Sequence, residues 1–378
     1  MMDSYYTINY KDKLYDQYSN KIETLLTELP AYCTDYERFA RNKNSIKTRM
    51  EYLLDIANFF KYLVIENPLF NTTKDVSLEK LEKLNGFDFD SYLSWLSNYK
   101  FDNDNYKEMR KTNTNASKKR KMMAIKSLFH FLYVRDYISC NPTEKAIIPT
   151  VRTKKRSSIN VLEDSECEQF ILAIDKAYEN AVNLLNEKTT ETVCRADRIR
   201  PCLAIRDKTI VYLILGTGLR VSELCAINCA DISFELGYIN VIRKGEGDDI
   251  DGSDKVYLSD EVATLLSYYI NEVRDYLEPD KNNYDALFIS SKHIRMTPRG
   301  IELMVKKYAD AALGTNNNVH PHTLRATFGT RYYDMTKDIS ATSTAMNHSG
   351  IEITAKYYIR EDKEAKQRVQ NMKIKGDF

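Results

Sequence analysis

Apolar residues recur at three- and four-residue spacing over much of the chain, which is the spacing of one face of an α-helix. The clearest run consists of Ile46, Met50, Leu53, Ala57, Phe60 and Val64. Pro68 follows this run, and a proline ends a helix because its nitrogen has no hydrogen to donate. Further helices are predicted over 14–29 and 87–96 and after Ser117, which is a suitable N-cap. Up to about residue 145, the chain therefore predicts a small all-helical domain.

The rest of the chain predicts a second, mainly helical domain with one small sheet. A helix begins near Asp164, and the run 207–215 is apolar on nearly every side, which indicates a helix inside the core. Residues 187–200 have the composition of a loop. Residues 238–242 and 255–258 alternate between apolar and polar positions, which predicts a β-hairpin. Two later helices are indicated by Val262, Leu265, Leu266, Tyr269 and Val273, and by Ile301, Met304, Val305 and Tyr308.

A change in composition separates these two regions. Residues 148–160 include a proline, four basic residues and two serines, without an apolar period, as in a linker. At 378 residues the chain is long enough for two cores. We therefore predict an N-terminal extension (1–35), a helical domain (36–147), a basic linker (148–160) and a C-terminal domain (161–378).

Charge is balanced overall but clustered locally. The formal net charge of +1 excludes a uniformly basic protein, yet binding to phosphates depends on local lysines and arginines. Two clusters are therefore candidate nucleic-acid contacts, with solvated surface charge as the alternative: Lys118, Lys119, Arg120 and Lys121, and then Arg152, Lys154, Lys155 and Arg156.

Cysteines and apolar runs limit where the protein works and what it binds. The seven cysteines are scattered without a Cys-x-x-Cys pair, which favours reduced thiols over disulfides or a zinc site. The chain has neither an apolar run of membrane-span length nor the apolar core of a signal peptide, so we expect a soluble, cytoplasmic protein. The acidic stretch 246–254 lacks the ligand spacing and final glutamate of a calcium loop, so we predict no metal site.

Four short segments of the C-terminal domain carry side chains that suit phosphate chemistry. A guanidinium group donates two hydrogen bonds to one phosphate, so two arginines can clamp a single phosphodiester. An imidazole beside the clamp can donate a hydrogen bond or a proton, and a tyrosine hydroxyl can attack phosphorus. In chain order the segments are Gly216-Thr217-Gly218-Leu219-Arg220 followed by Val221-Ser222-Glu223-Leu224, then His322-Thr323-Leu324-Arg325, then Asn347-His348-Ser349, and then Tyr357-Tyr358.

This ordered series resembles the motifs of the tyrosine recombinase family, which includes phage integrases and Xer-like enzymes. The resemblance extends to residues 117–142, which are similar to the last long helix of the family's core-binding domain, and it covers roughly residues 40–360. It implies a mainly α fold, in which a helical, SAM-like core DNA-binding domain precedes a mostly helical catalytic domain with a small antiparallel β-sheet.

The resemblance also implies roles for individual residues. Tyr357 attacks the scissile phosphate and forms a 3′-phosphotyrosyl link, without a metal or other cofactor. The other implied roles belong to Arg220 and Arg325, which neutralise the phosphate; to His322 and His348, which hydrogen-bond it; to Lys244, with Lys255 as the alternative, which protonates the leaving 5′-oxygen; and to Glu223, which steadies the arginines.

Some positions depart from the family pattern or leave a choice open. Ala326 replaces a common histidine, and Asn347 stands where glycine usually precedes the last histidine. The nucleophile usually follows that histidine by nine positions, which gives Tyr357, but some relatives encoded by mobile elements use ten, which gives Tyr358. Thr354, three residues before Tyr357, matches the commoner pattern and favours Tyr357.

The implied function is site-specific DNA recombination in a bacterial cell, by a homotetramer acting on two DNA duplexes. The length and the N-terminal extension favour an enzyme that is encoded by, or acts on, a mobile or invertible element. The implied partner is double-stranded DNA, and accessory DNA-bending proteins are candidate further partners. No membrane partner is implied. The alternatives are a type IB topoisomerase, which shares the chemistry without partner exchange, and a catalytically inactive DNA-binding regulator of the same fold.

Overall fold

The chain divides into two units, Met1–Arg156 and Ser157–Phe378. The structure is a computed structural model, and it describes residues 10–66, 70–103, 106–150, 160–187, 195–242, 253–348 and 350–358. The division between the units lies within the basic stretch 148–160. The finer division of the chain into four parts stays a prediction.

The first unit is built around aromatic side chains on three of its helices. Phe59, Phe89 and Phe129 have no exposed surface, and the ring of Phe59 lies 6.0 Å from that of Phe89 and 5.0 Å from that of Tyr92. The apolar spacing along α3 produces this core, because it brings one side of the helix against its neighbours. The helices of this unit are α1 (Tyr10–Thr27), α2 (Tyr32–Arg41), α3 (Ile46–Glu66), α4 (Leu78–Glu82), α5 (Gly86–Trp95) and α6 (Asn115–Val134).

Two features of this unit differ from the sequence-based expectation. Strands β1 (Tyr99–Asn103) and β2 (Tyr106–Lys111) form an antiparallel ladder, so the prediction of an all-helical domain was wrong. The alternation of apolar and polar residues over 99–102 is a strand signal, but it is too short to stand out among helices. Helix α6 begins earlier than expected, because Thr114, rather than Ser117, caps it: the Ser117 N–H donates to Thr114 Oγ1 at 3.2 Å.

The N-terminal segment contributes to the core of this unit. Helix α1 packs against α3, and Ile22 and Leu29 are buried in the same hydrophobic cluster as the aromatic residues. Residues 10–35 therefore supply apolar side chains to the core of this unit.

The second unit is mainly helical and includes a three-stranded antiparallel sheet in the order β3-β4-β5. The strands are β3 (Ile232–Ser233), β4 (Tyr238–Ile242) and β5 (Ser253–Tyr257), and Asn240 pairs with Lys255. The hairpin was predicted, and the short β3 was not. The helices are α7 (Asp164–Glu187), α8 (Arg195–Thr217), α9 (Val221–Ala226), α10 (Asp260–Tyr268), α11 (Pro298–Leu313), α12 (Pro321–Thr336), α13 (Ile339–Ala345) and α14 (Ile351–Tyr358).

Helix α8 is the central helix of the second unit. It packs against α7, α10 and α12, and Ile210, Val211, Leu213 and Ile214 have no exposed surface. The burial on all sides matches the expectation from its apolar sequence. The helix is longer than predicted, since residues 195–200, expected in a loop, form its first turns. None of the helices in the described part of the chain has the length and apolar content of a membrane span.

Candidate active site

The turn between α8 and α9 places Arg220 at the start of a short helix. Gly218 lies in this turn with φ of +65°, and a Cβ there would be 2.3 Å from Cδ1 of Phe328. Both the backbone conformation and the close packing therefore require glycine. Arg220 then occupies the N-cap position of α9.

Glu223 holds Arg220 at two points. The Arg220 main-chain N–H donates to Glu223 Oε2 at 2.8 Å, and Nη1 of the same arginine donates to Oε1 at 2.7 Å. The carboxylate is buried, whereas 40% of the Arg220 side chain is exposed. This contact fixes the guanidinium while part of its surface remains accessible. The role of Glu223 in steadying the arginines stays a prediction.

Arg325 lies on α12 and reaches the same place from the other side. Its guanidinium is buried, with Nη1 donating to the Gly218 carbonyl and Nη2 donating to the Met346 carbonyl. Nη2 of Arg220 donates to the next carbonyl along, that of Asn347, at 2.6 Å. The two predicted arginines are thus brought together on adjacent carbonyls of one loop.

Asn347 explains one departure from the family pattern. Its backbone has φ of +43°, a left-handed conformation that glycine and asparagine adopt more readily than other residues. The glycine usual at this position and the asparagine found here therefore satisfy the same requirement. The other departure, Ala326, is a buried residue of α12.

The two predicted histidines share the electrostatic surroundings of the arginines. Partial desolvation of the ring and the positive charges of Arg325 and Arg220 lower the pKa of His348 to about 4. Partial desolvation and Arg325, with smaller effects from His320 and Arg220, also lower the pKa of His322. Both rings are therefore neutral near pH 7, and each neutral ring has one N–H donor and one acceptor nitrogen.

Hydrogen bonds of both its main chain and its ring help to hold His348. Its main-chain N–H donates to the Ser343 carbonyl at 3.0 Å, and its Nδ1 lies 2.8 Å from Oγ1 of Thr354. His322 lies one turn before Arg325 on α12 and is exposed at the surface. The site therefore combines one exposed imidazole with one that the loop after α13 positions.

His320 has a role that the sequence did not assign. It is the N-cap of α12, and its Nδ1 accepts a hydrogen bond from the Thr323 N–H at 3.1 Å. Its position directly before Pro321 was the available signal, because proline is frequent at the first position of a helix. His293 has its Nδ1 2.8 Å from the Leu277 carbonyl.

The two candidate nucleophiles are the last residues of α14. Tyr357 and Tyr358 lie three and four residues after Thr354, so both are within one turn of the residue that contacts His348. The helix does not by itself choose between them, and Tyr357 stays a prediction.

The candidates for the proton donor lie at or near the hairpin. Lys255 is on β5, with its ammonium 4.7 Å from the centre of the Tyr238 ring, a cation–π contact. Lys244, the preferred candidate, lies outside the described residues, as do residues 246–252 of the acidic turn.

The basic cluster on α6 has two kinds of members. Lys121 is buried with its ammonium 2.7 Å from Asp55, and Arg120 pairs with the same carboxylate at 2.9 Å. Lys118 donates to Ser97 at 2.6 Å, and Lys119 is exposed. Lys119 is therefore better placed than Lys121 to contact a phosphate. The second cluster, Arg152, Lys154, Lys155 and Arg156, lies outside the described residues.

Metal-ligating side chains do not gather anywhere in the part of the chain that the structure describes. The cysteines in that part are free thiols.

Comparison with known proteins gives sequence relatives that cover most of the chain. Residues 179–365 match the family model described as the phage integrase family. Tyrosine recombinase XerD of Oceanobacillus iheyensis is 27% identical over 263 residues, which is 69% of this chain and 86% of that protein. Tyrosine recombinase XerS of Streptococcus mutans is 26% identical over 355 residues, which is 89% of this chain and 94% of that protein.

Solved structures share the fold. The XerH site-specific recombinase bound to its difH substrate in a pre-cleavage complex is 20% identical, with a TM-score of 0.56, over 94% of this chain and 89% of that one. The Tn1549 transposon integrase in complex with circular intermediate DNA is 18% identical, with a TM-score of 0.57, over 91% of this chain and all of that one (100%).

Proposed function

This chain belongs to the phage integrase family of tyrosine recombinases, and we propose that it is a site-specific recombinase that cleaves and rejoins DNA through a 3′-phosphotyrosyl intermediate. The observation that carries the proposal is the convergence of Arg220 and Arg325 on the adjacent carbonyls of Met346 and Asn347, directly before His348. A polar cluster of this composition suits a phosphodiester, since guanidinium groups match phosphate oxygens in geometry and charge.

The arginines act on the charge that develops during the reaction. When the hydroxyl of Tyr357 attacks phosphorus, negative charge grows on the two non-bridging oxygens. Arg220, with its exposed guanidinium surface, and the more buried Arg325 supply fixed positive charge at that point. Because Glu223 and the loop carbonyls already hold these groups, little reorganisation is needed in the transition state.

The bonds exchanged in the first step balance without another reagent. A bond forms between the tyrosine oxygen and phosphorus as the hydroxyl gives up its proton, and the bond between phosphorus and the 5′-oxygen breaks. The proton released at the tyrosine balances the one that the 5′-oxygen takes up. The 5′-oxygen takes a proton, for which Lys244 is the preferred donor and Lys255 the alternative. Neutral His322 and His348 donate hydrogen bonds to the phosphate. In the second step the 5′-hydroxyl of a partner strand attacks the phosphotyrosyl link and releases the tyrosine.

The proposed assembly is a homotetramer on two duplexes. The enzyme would be encoded by, or act on, a mobile or invertible element in a bacterial cytoplasm, with accessory DNA-bending proteins as further partners. The solved structures support the assignment to a mobile element, since one is described as a transposon integrase and another as a site-specific recombinase. The basic residues proposed to contact the DNA backbone are Lys118, Lys119, Arg120, Arg152, Lys154, Lys155 and Arg156; Lys121 is left out, because it is buried against Asp55. Among the described members, the exposed Lys119 is the strongest candidate.

A trapping assay tests whether the protein is an enzyme. Duplexes covering the DNA that flanks its gene are prepared with a nick just beyond the cleavage position, so that the short fragment with the free 5′-hydroxyl diffuses away and the adduct persists. We expect a covalent complex that survives denaturation and needs neither metal nor ATP. A protein that binds one of these duplexes specifically but gives no adduct would be an inactive regulator.

A second assay separates recombination from relaxation of supercoils. With two intact duplexes carrying the target site, a recombinase produces Holliday junctions and exchanged strands. A type IB topoisomerase instead relaxes a supercoiled plasmid and yields no joined product. We expect junctions, and relaxation without junctions would select the topoisomerase.

A further inference from the structure

Thr354 is a buried threonine on a helix whose hydroxyl contacts a histidine ring, as does that of Thr323, whose Oγ1 lies 3.0 Å from Nδ1 of His320. The exposed fraction of Thr354 is 0%, and its Oγ1 lies 2.8 Å from Nδ1 of His348, six residues earlier in the chain. Two other buried threonines of the same unit, Thr209 and Thr327, donate to the main-chain carbonyl four residues before them. The contact of Thr354 is with a ring of the site rather than with its own helix backbone.

The direction of this hydrogen bond decides which nitrogen of His348 carries the proton. A neutral imidazole has one N–H and one acceptor nitrogen, while a hydroxyl can donate or accept. If Thr354 donates to Nδ1, the ring proton lies on Nε2. If Thr354 accepts, the proton lies on Nδ1 and is directed away from any bound phosphate. Only the first arrangement leaves the histidine able to donate to a phosphate oxygen through Nε2.

We propose that Thr354 is a positioning residue that donates its hydroxyl hydrogen to Nδ1 of His348 and thereby keeps the ring proton on Nε2, oriented toward the scissile phosphate. This inference rests on the proposed function, because the proposed DNA substrate supplies the phosphate oxygen that accepts the Nε2 proton. It also ties His348 to the helix of the nucleophile, since both candidate tyrosines lie within one turn of Thr354.

The position of Thr354 suits this role for a physical reason. A hydroxyl with no exposed surface has no water to bond with, so it keeps a protein partner. Partial desolvation of the ring and the positive charges of Arg325 and Arg220 disfavour a second proton on the ring, so the ring stays neutral and one tautomer must be chosen. Thr354 makes that choice before DNA binds.

The first test measures the tautomer directly in the full-length protein without DNA. The chain has five histidines, so selective ¹⁵N-histidine labelling gives few signals, and a His348→Gln variant assigns the one of interest. At pH 7 we expect a non-protonated Nδ1 and a protonated Nε2 for His348. The Thr354→Val variant, which has the same shape without the hydroxyl, should show a mixture of tautomers. A protonated Nδ1 in the unmodified protein would overturn the proposal.

The second test measures the consequence for DNA cleavage with the nicked duplex. Loss of one hydrogen bond of this kind predicts that Thr354→Val forms the covalent complex about tenfold more slowly. Thr354→Ser keeps the hydroxyl and should restore most of the rate. The matched control is Thr209→Val, the same substitution at an equally buried threonine whose partner is a main-chain carbonyl.

The outcomes separate positioning from packing. A Thr354→Val variant that cleaves at the unmodified rate contradicts the proposal, and so does an equal loss in Thr354→Val and Thr209→Val, which indicates general destabilisation. DNA affinity should be the same in all three variants. If the unmodified protein cleaves no DNA, the proposed function fails, while the tautomer measurement still decides the role of Thr354.

Discussion

At the scale of single residues, the two arginines of the site differ in how deeply they are built into the fold. Arg220 is partly exposed and bonds Glu223 and one carbonyl, whereas Arg325 is buried and bonds the carbonyls of Gly218 and Met346. Removing Arg325 therefore leaves two main-chain acceptors without their donor. The role of Arg220 is more separable from folding.

This difference leads to a prediction for alanine variants. Arg220→Ala should cleave about 100- to 1,000-fold more slowly, because it removes charge needed in the transition state. Its loss of stability should be smaller than that of Arg325→Ala, because the Glu223 carboxylate keeps the main-chain N–H of residue 220 as a donor. Arg325→Ala should lose cleavage and also about 3 kcal/mol of unfolding free energy, since buried carbonyls lose charged donors. Single-turnover cleavage and urea unfolding measure the two effects. Equal stability of the two variants would contradict the structural role of Arg325.

His348 gives a prediction of pH dependence. Its pKa is lowered to about 4 in the folded protein, against an ordinary value of 6.5. As the pH falls through 6.5, the unfolded chain takes up a proton that the folded chain does not accept until about pH 4, so folding stability decreases over this interval. Above pH 6.5 both states are neutral at this residue, and it has no effect.

The measurement is a histidine-detected NMR titration of the free protein, with urea unfolding at each pH. We expect the His348 signal to titrate near pH 4 and the His348→Gln variant to lose less stability between pH 6.5 and pH 4. Bound DNA should raise the midpoint, because the negative phosphate favours the charged ring. A midpoint at or above 6.5 without DNA would show that burial and the two arginines do not lower the pKa of His348.

At the scale of elements, the turn between α8 and α9 is the most constrained piece of the site. Gly218 and Gly237 have nearly the same φ, +65° and +66°, but only Gly218 is crowded: Phe328 and Met346 surround its Cβ position, while nothing lies within 4 Å at Gly237. The two glycines therefore separate the effect of backbone strain from that of packing.

We predict different costs for the same substitution at these two positions. Gly237→Ala should lower the unfolding free energy by about 1–2 kcal/mol, since only left-handed strain acts there. Gly218→Ala should cost roughly 1–3 kcal/mol more, because Phe328 must move. It should also slow cleavage, as the carbonyl of Gly218 accepts from Arg325. Equal melting temperatures for the two variants would mean that Phe328 and Met346 do not crowd the Cβ position of Gly218.

Helix α6 illustrates how a cluster of like residues divides into two roles. Lys121 is buried against Asp55, whereas Lys119 is exposed. Lys121→Met should destabilise the protein by about 3 kcal/mol, at the lower end for a broken buried ion pair because Arg120 still contacts Asp55.

Lys119→Ala provides the contrast. It should leave the melting temperature unchanged and weaken binding to all DNA sequences, with a smaller dependence of affinity on salt concentration, since one phosphate contact is removed. Fluorescence anisotropy at several salt concentrations measures this effect. An unchanged salt dependence would remove Lys119 from the DNA-binding surface.

At the scale of the whole molecule, the sequence predicted what depends on periodicity and on ordered motifs. The long apolar stripe of α3 and the apolar α8 were recognisable because helical spacing is a local property of the chain. The fold class and the family followed in the same way, from features visible in short stretches.

The contacts that complete the site were not predictable from the sequence. The bond from Arg325 to the Gly218 carbonyl joins residues 107 apart, and the contact of His348 with Thr354 depends on how the loop after α13 meets α14. Such hydrogen bonds are set by tertiary packing rather than by local propensity. The motif alone marked Asn347 as a departure from the usual glycine. Its left-handed backbone, visible only in the structure, explains why asparagine is tolerated there.

The central claim is that a tyrosine of α14 becomes covalently joined to DNA, and peptide mapping of the trapped adduct tests it most directly. Protein trapped on a nicked duplex is digested with protease, and mass spectrometry locates the nucleotide-bearing residue. We expect a 3′-phosphate on Tyr357, no adduct with Tyr357→Phe, and a retained adduct with Tyr358→Phe. A nucleotide on Tyr358 would make Tyr358, rather than Tyr357, the nucleophile. An adduct on neither tyrosine, from a protein that folds and binds DNA, would contradict the account.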